Sequence, residues 1–152
     1  MPVFLQVVFA FSTSIIAAIG VYVAFQQWKL GAYKLKHDLF DRRWAVYAAT
    51  NDAIVTTLNG EPEDRHERFQ KFLIKAKDAA FLFPGEVTEY LSEIEQTLSE
   101  LRSLEREIKI VGIGTTRRHE IETLLIQKNE WLSRQVPLLV PKFKAYLDLT
   151  AS

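Results

Sequence analysis

The stretch EVTEYLSEIEQTLSELRSLEREIKI, residues 86–110, decides the fold class. Its apolar residues recur every three or four positions, and most positions between them hold Glu, Ser or Arg. On a helix of 3.6 residues per turn this spacing gives one apolar stripe, which has to be buried against other elements. The stretch therefore predicts a helix, about Glu86–Ile110, that faces the core of a bundle. The stripe consists of Val87, Tyr90, Leu91, Ile94, Leu98, Leu101 and Ile108.

Two further amphipathic helices are predicted on either side of this stretch. One spans about Asp64–Phe83 and the other about Arg117–Val136, and each has apolar residues at helical spacing. Pro137 and Pro141 follow the latter helix, and we expect them to break or kink the chain, because proline lacks the backbone N–H that a helix interior needs. A short terminal helix is expected at Lys142–Leu149.

The N-terminal part of the chain differs sharply in composition. Residues Val3–Phe25 are 23 consecutive residues without a charge, and a helix of this length extends about 35 Å, enough to cross a hydrocarbon core of about 30 Å. No proline interrupts Val3–Leu58, so the same helix is expected to continue into the bundle. The sequence predicts an all-α fold: a transmembrane anchor at residues 1–28, continuous with an antiparallel four-helix cytoplasmic bundle at residues 29–152.

The charges after the uncharged run predict an orientation. Five bases stand against two acids in this region, and the positive-inside rule then places the C-terminal side in the cytoplasm. The expected location is the bacterial inner (cytoplasmic) membrane with the N-terminus outside, and the lipid bilayer is an expected partner. The three lysines are expected to contact lipid headgroups. The bases are Lys29, Lys34, Lys36, Arg42 and Arg43, and the acids are Asp38 and Asp41.

Small and polar residues form a second pattern in the first helix. Steps of four and three residues from Gln6 meet only such residues, and small side chains let two helix backbones approach closely. The pattern predicts a homo-oligomer. Two alternatives stay open: an inert anchor, and a high-order ring in which Gln6, Thr13 and Gln27 line a pore. The stripe consists of Gln6, Ala10, Thr13, Ala17, Gly20, Ala24, Gln27 and Gly31.

Charge and composition argue against several classes of protein. The 19 basic residues balance 19 acidic ones, so the chain lacks the basic excess typical of nucleic-acid binding, and nucleic acid is not an expected partner. There is no cysteine, no phosphate-binding glycine motif and no cluster of His ligands. We therefore expect no catalytic residue, no metal, no cofactor and no enzymatic activity. The alternative is an all-helical nucleotide-binding or RNA-cleaving enzyme tethered to the membrane.

One turn has the composition of an anion-binding site. Two glycines, two hydroxyl residues and two arginines stand at a predicted helix N-terminus, where backbone N–H groups favour anions. In the alternative interpretation, Glu107, Glu120 and Glu122 compensate the arginines, and Thr115 or Thr116 caps the helix. The candidate anion-binding residues are Gly112, Gly114, Thr115, Thr116, Arg117 and Arg118.

The segments KLKHDLFDRRWAVY and KDAAFLFPGEVTEYL carry a resemblance that covers about residues 20–95. They resemble a widespread group of small uncharacterised bacterial single-pass membrane proteins. In layout the chain is also similar to the ring-forming membrane accessory protein of RNA-targeting CRISPR loci. The resemblance implies architecture rather than chemistry. The matching positions are Lys34, Leu35, Asp38, Leu39, Phe40, Asp41, Arg42, Arg43, Val46, Tyr47, Phe81, Leu82 and Phe83.

These observations together predict a non-enzymatic, membrane-anchored, self-associating helical protein. The layout implies an accessory or effector of antiviral defence that acts on the membrane as an oligomer. A cytoplasmic protein or an anionic ligand is a further expected partner.

Overall fold

The structure is a computed structural model that describes the backbone of residues 3–148 and the side chains of residues 17–148. This part of the chain is all-helical and contains no strand. The four helices are α1 (Val3–Asn59), α2 (Pro62–Leu82), α3 (Gly85–Glu107) and α4 (Thr116–Lys144). The chain forms two compact units, Met1–Asp38 and Leu39–Ser152.

The helix boundaries follow the local sequence. α1 runs without a break to Asn59, as the absence of proline predicted. α2 begins at Pro62. Proline is tolerated at this position because the first N–H groups of a helix have no acceptor within the helix. α3 ends at Glu107, earlier than predicted, and the chain then turns. In that turn Gly114 has a φ of 81°, a left-handed conformation that disfavours other residues.

The prolines of α4 do not break it, which corrects the sequence prediction. α4 is one helix from Thr116 to Lys144 and contains both Pro137 and Pro141. The two prolines are four residues apart and both are exposed, so the hydrogen bonds that they remove lie on the solvent side of the helix. The core side of the same segment is held by Leu139 and Phe143, which are fully buried. A separate terminal helix is therefore not formed.

The unit Leu39–Ser152 is a helical bundle with one apolar core. Each of the four helices contributes side chains from one face, so the amphipathic patterns account for the buried set. The fully buried large side chains are Phe72, Phe143, Ile54, Leu91, Ile94, Leu98, Leu101, Ile121, Leu132, Leu139, Val46 and Val87.

Contacts between the helices show that neighbours are antiparallel. Arg65, near the start of α2, pairs with Glu105 near the end of α3, with 2.7 Å between nitrogen and oxygen. Glu86, at the start of α3, lies 3.6 Å from Lys142 at the end of α4. α1 closes the bundle against α4, where the ring of Tyr47 contacts that of Phe143.

The predicted membrane anchor is not supported. Among the residues whose side chains the structure describes, no helix is long and apolar enough to cross a membrane. This contradicts the single-pass anchor at residues 1–28 and the inner-membrane location derived from it, and we do not retain them. Residues 3–16 of that prediction lie outside the described side chains.

One buried polar group in the core lacks a partner. The hydroxyl of Tyr90 is buried without a hydrogen bond, and burial, with a smaller effect of nearby Glu93, raises the pKa of Tyr90 to about 12. An unsatisfied buried hydroxyl costs about 1–3 kcal/mol. The core at Tyr90 therefore favours a side chain without a hydroxyl.

We expect Tyr90→Phe to leave the free energy of unfolding unchanged or to raise it by about 1 kcal/mol at neutral pH. The difference should grow as the pH rises from about 10, where an unfolded tyrosine ionises, to about 12, where the folded one does. Denaturant unfolding of both proteins at several pH values measures this. A loss of stability above 1 kcal/mol at pH 7 would show that the hydroxyl has a partner.

Candidate functional site

The segment that stands out is residues 17–39 of α1, which we call the exposed segment. Every residue in it is exposed. Ten of these residues have large apolar or aromatic side chains, and soluble domains rarely leave so many in one continuous stretch uncovered. The ten are Ile19, Val21, Tyr22, Val23, Phe25, Trp28, Leu30, Tyr33, Leu35 and Leu39.

Part of the predicted small-residue stripe lies in the exposed segment. Ala17, Gly20, Ala24, Gln27 and Gly31 are all exposed. A methyl group placed on Gly20 or on Gly31 would meet no other atom within 4 Å. The glycines are therefore not required by packing within this chain. The remaining stripe members, Gln6, Ala10 and Thr13, lie outside the described side chains.

The lysines predicted to contact lipid follow the uncharged part of the exposed segment. Lys29, Lys34 and Lys36 are all exposed. Lys29 and Lys36 line a shallow groove of about 200 Å³ together with Trp28 and Tyr33, whereas Lys34 is not among the groove residues. Aromatic and lysine residues therefore line the same groove, and the lipid contact stays a prediction.

The Gly112–Arg118 turn is compact and its arginines have acidic partners. Arg117 donates two hydrogen bonds to Glu107, at 2.8 and 3.1 Å, and one to Glu120 at 3.2 Å. The hydrogen bonds from Arg117 hold the pKa of Glu107 below its ordinary value. This pair therefore contributes stability at neutral pH, which is lost as the pH falls through the lowered pKa.

The second arginine of this turn has a different role. Arg118 donates to Glu122 at 3.1 Å and to the backbone carbonyls of Ile108 and Val111, both at 3.2 Å. The hydroxyl of Thr115 accepts a hydrogen bond from the backbone N–H of Arg118, so Thr115 is the N-cap of α4. These contacts are those of the alternative interpretation, in which the chain's own acids compensate both arginines. Anion binding at this turn stays a prediction.

We expect Arg118→Ala to lower the free energy of unfolding by about 1–2 kcal/mol, because the two carbonyls at the end of α3 lose their donor. Arg117→Ala, which removes only exposed ion pairs, should have a smaller effect that shrinks further in high salt. Thermal unfolding of the two variants compares them. Equal losses for both variants would contradict the capping role of Arg118.

Arg43 links separate parts of the bundle, a role that the sequence analysis did not predict. Its guanidinium donates to the carbonyl of Leu82 at 3.0 Å and to the carbonyl of Tyr146 at 3.1 Å, and it lies 5.8 Å from the ring centre of Phe83. Backbone carbonyls as acceptors leave no sequence pattern, so only the structure identifies this role.

Potential catalytic or metal-binding groups are not brought together in the described part of the chain. No three His, Cys, Asp or Glu residues within it form a group that could hold a metal ion. His66 instead lies 2.7 Å from Arg102 on the next helix, and His119 lies 3.4 Å from Glu122. No protein-family model, curated protein or solved structure matches this chain.

Proposed function

We propose that this chain is a non-enzymatic helical protein that self-associates through the exposed segment of α1. The observation that carries the proposal is the uninterrupted exposure of residues 17–39 with ten large apolar side chains. Apolar surface of this extent is typical of a face that another molecule covers. The helical bundle, with its own apolar core, lies on the same chain.

The apolar burial is of the same order as the cost of association. Fully burying one fully exposed side chain of this kind contributes about 1.5–3 kcal/mol, and the ten residues are 37–71% exposed. A dimer that covers five of them on each copy would therefore gain on the order of 10 kcal/mol, against an estimated cost of association of about 4–15 kcal/mol. Residues 17–28 carry no charge, so two copies meet there without electrostatic repulsion.

The small residues support a second copy as the covering partner. Ala17, Ala24 and Gly31 are seven residues apart, which is the repeat of two helices that wind around each other. No described residue lies within 4 Å of a methyl group placed on Gly20 or Gly31, so among the described residues that space is open to a neighbouring helix. The role in antiviral defence inferred from the layout stays a prediction.

The test uses the absence of cysteine from the sequence. A chain with Ala24→Cys should form a disulfide-linked dimer on brief oxidation in cells. Ala17→Leu with Gly20→Leu should remove most of that dimer, because bulky side chains separate the two backbones without a clash inside the chain. Ala18→Leu with Gln26→Leu, which lie off the stripe, is the matched control. An unchanged dimer in the stripe variant, or no dimer in the parent, would contradict the proposal.

A further inference from the structure

The shallow groove of about 200 Å³ on the exposed segment has two lysines at its ends. Its lining consists of Trp28, Lys29, Ala32, Tyr33 and Lys36. Residues 29, 32, 33 and 36 stand three or four positions apart, so they share one face of α1. The two lysines are two turns apart, about 10.5 Å along the helix axis, with the small Ala32 between them. Their long side chains can therefore both reach a group that lies over Ala32.

The lining of this groove provides donors and no acid. The ammonium groups of Lys29 and Lys36 and the indole N–H of Trp28 only donate hydrogen bonds, and the hydroxyl of Tyr33 both donates and accepts. This composition suits a ligand that carries negative charge and accepts several hydrogen bonds. Three other grooves on the chain each include an acid, and these acids are Asp78, Glu120 and Asp148.

The lysines of the groove also lack a counter-charge within the described part of the chain. The sequence contains no acid before Asp38, and neither Lys29 nor Lys36 forms an ion pair with a described residue. Cations of the bundle instead lie beside acids, as Lys142 does at 3.6 Å from Glu86. A bound anion would therefore neutralise positive charge that the described residues leave uncompensated.

We propose that this groove binds the phosphate group of a phosphate monoester. Such a group carries about −1.5 to −2 charges at neutral pH and three acceptor oxygens. It therefore matches the two charges of Lys29 and Lys36, and it leaves an oxygen for the indole N–H of Trp28 or the hydroxyl of Tyr33. A carboxylate has one charge and two oxygens, so it matches this set of donors less well. A soluble compound and a lipid headgroup both present this chemistry.

The groove lies away from the small-residue stripe that the proposed function uses. Lys29 and Lys36 are about 160° and 140° around the helix from Gly31, whereas Lys34 is only about 60° from it. A phosphate group and a second copy can therefore occupy α1 together, and the inference goes beyond the proposed function. Lys34 is the matched control, because it is an exposed lysine of the same segment outside the groove.

The first arm of the test titrates the full chain with glycerol 3-phosphate and follows the indole N–H signals by NMR. The sequence has three tryptophans, so Trp44 and Trp131 are internal references, and Trp28→Phe identifies the remaining signal. We expect the Trp28 signal to move until the site is saturated, while the two reference signals stay in place. Glycerol, which lacks the phosphate, should move none of them.

Lysine variants then test which charges bind the phosphate. Lys29→Gln and Lys36→Gln should each weaken the binding about tenfold, because each removes a hydrogen bond between charged groups. Lys34→Gln removes the same charge outside the groove and should change the affinity less than about twofold, since distant exposed charges are screened. Equal weakening by all three variants would overturn the proposal, because it would show attraction by net charge alone.

The second arm distinguishes the source of the phosphate by co-sedimentation with vesicles. One vesicle contains equal parts of phosphatidylcholine and phosphatidate, and the other contains equal parts of phosphatidylcholine and phosphatidylserine. Both are anionic, but only phosphatidate presents a phosphate monoester. A preference for phosphatidate that Lys29→Gln with Lys36→Gln removes assigns the site to a lipid headgroup. A response to glycerol 3-phosphate without this preference assigns it to a soluble compound. No response in either arm would overturn the proposal.

The groove and the contact between copies fail separately. Ala17→Leu with Gly20→Leu should remove the disulfide at Ala24→Cys and leave the response to phosphate. Lys29→Gln with Lys36→Gln should do the opposite. Loss of only one of the two parent signals therefore shows which proposal is wrong.

Discussion

Phe143→Ala is expected to lower the free energy of unfolding by about 3–5 kcal/mol, the largest effect of any single truncation considered for this chain. The side chain is fully buried. Its ring makes edge contacts with Phe83 and Tyr47, with ring centres 5.3 and 5.6 Å apart. Alanine would leave a cavity between α1, α4 and the turn that joins α2 to α3. Denaturant unfolding monitored by circular dichroism measures the loss.

Phe81→Ala is the matched control for this truncation. It removes the same side chain from a position that is 90% exposed, so the free energy of unfolding of the monomer should change by less than about 0.5 kcal/mol. Similar losses for the two phenylalanines would contradict the core described above.

Arg43→Ala is expected to lower the free energy of unfolding by about 2–3 kcal/mol. The guanidinium is half-buried and bonds two carbonyls near the C-terminal ends of α2 and α4, and hydrogen bonds from charged groups contribute about 1.5–3 kcal/mol each. A cation at these helix ends also interacts favourably with both helix dipoles. Without it, the carbonyls of Leu82 and Tyr146 lose their donor.

Two variants separate this role from charge alone. Arg43→Lys keeps the charge but loses the planar fork that reaches two acceptors, so it should recover only part of the stability. Arg106→Ala removes an exposed arginine whose Nε donates to a carbonyl of its own helix, and it should cost about 0.5 kcal/mol or less. If Arg43→Ala costs no more than Arg106→Ala, the link between the helix ends is wrong.

The helices could be predicted from the sequence because the spacing of apolar residues along a helix depends only on neighbouring residues. The stripe of residues 86–110 predicted α3 and its buried face, since Val87, Ile94 and Leu101 are all in the core. The turn at Pro84 and the continuity of α1 followed from the positions of proline. These features depend on a few neighbouring residues, which is why one sequence is enough to predict them.

The features that the sequence did not predict correctly depend on contacts between distant parts of the chain. Pro137 and Pro141 were expected to break or kink the chain, but α4 continues through both, and the burial of Leu139 and Phe143 on the opposite side outweighs the lost hydrogen bonds. The role of Arg43 required knowing which carbonyls lie near it. For the candidate anion site, the sequence analysis named both the arginines of the turn and the glutamates that could compensate them. Only the structure shows that Arg117 pairs with Glu107.

The central claim is that one face of the exposed segment contacts a second copy. The most direct measurement is a scan of single cysteines, one chain per position from Ala17 to Leu35, with the yield of disulfide-linked dimer recorded after brief oxidation. The account predicts yields that oscillate with the helix period, with maxima at Ala17, Ala24 and Gly31 and minima near Gln26 and Tyr33. Equal yields at all positions, or no dimer at any position, would contradict it.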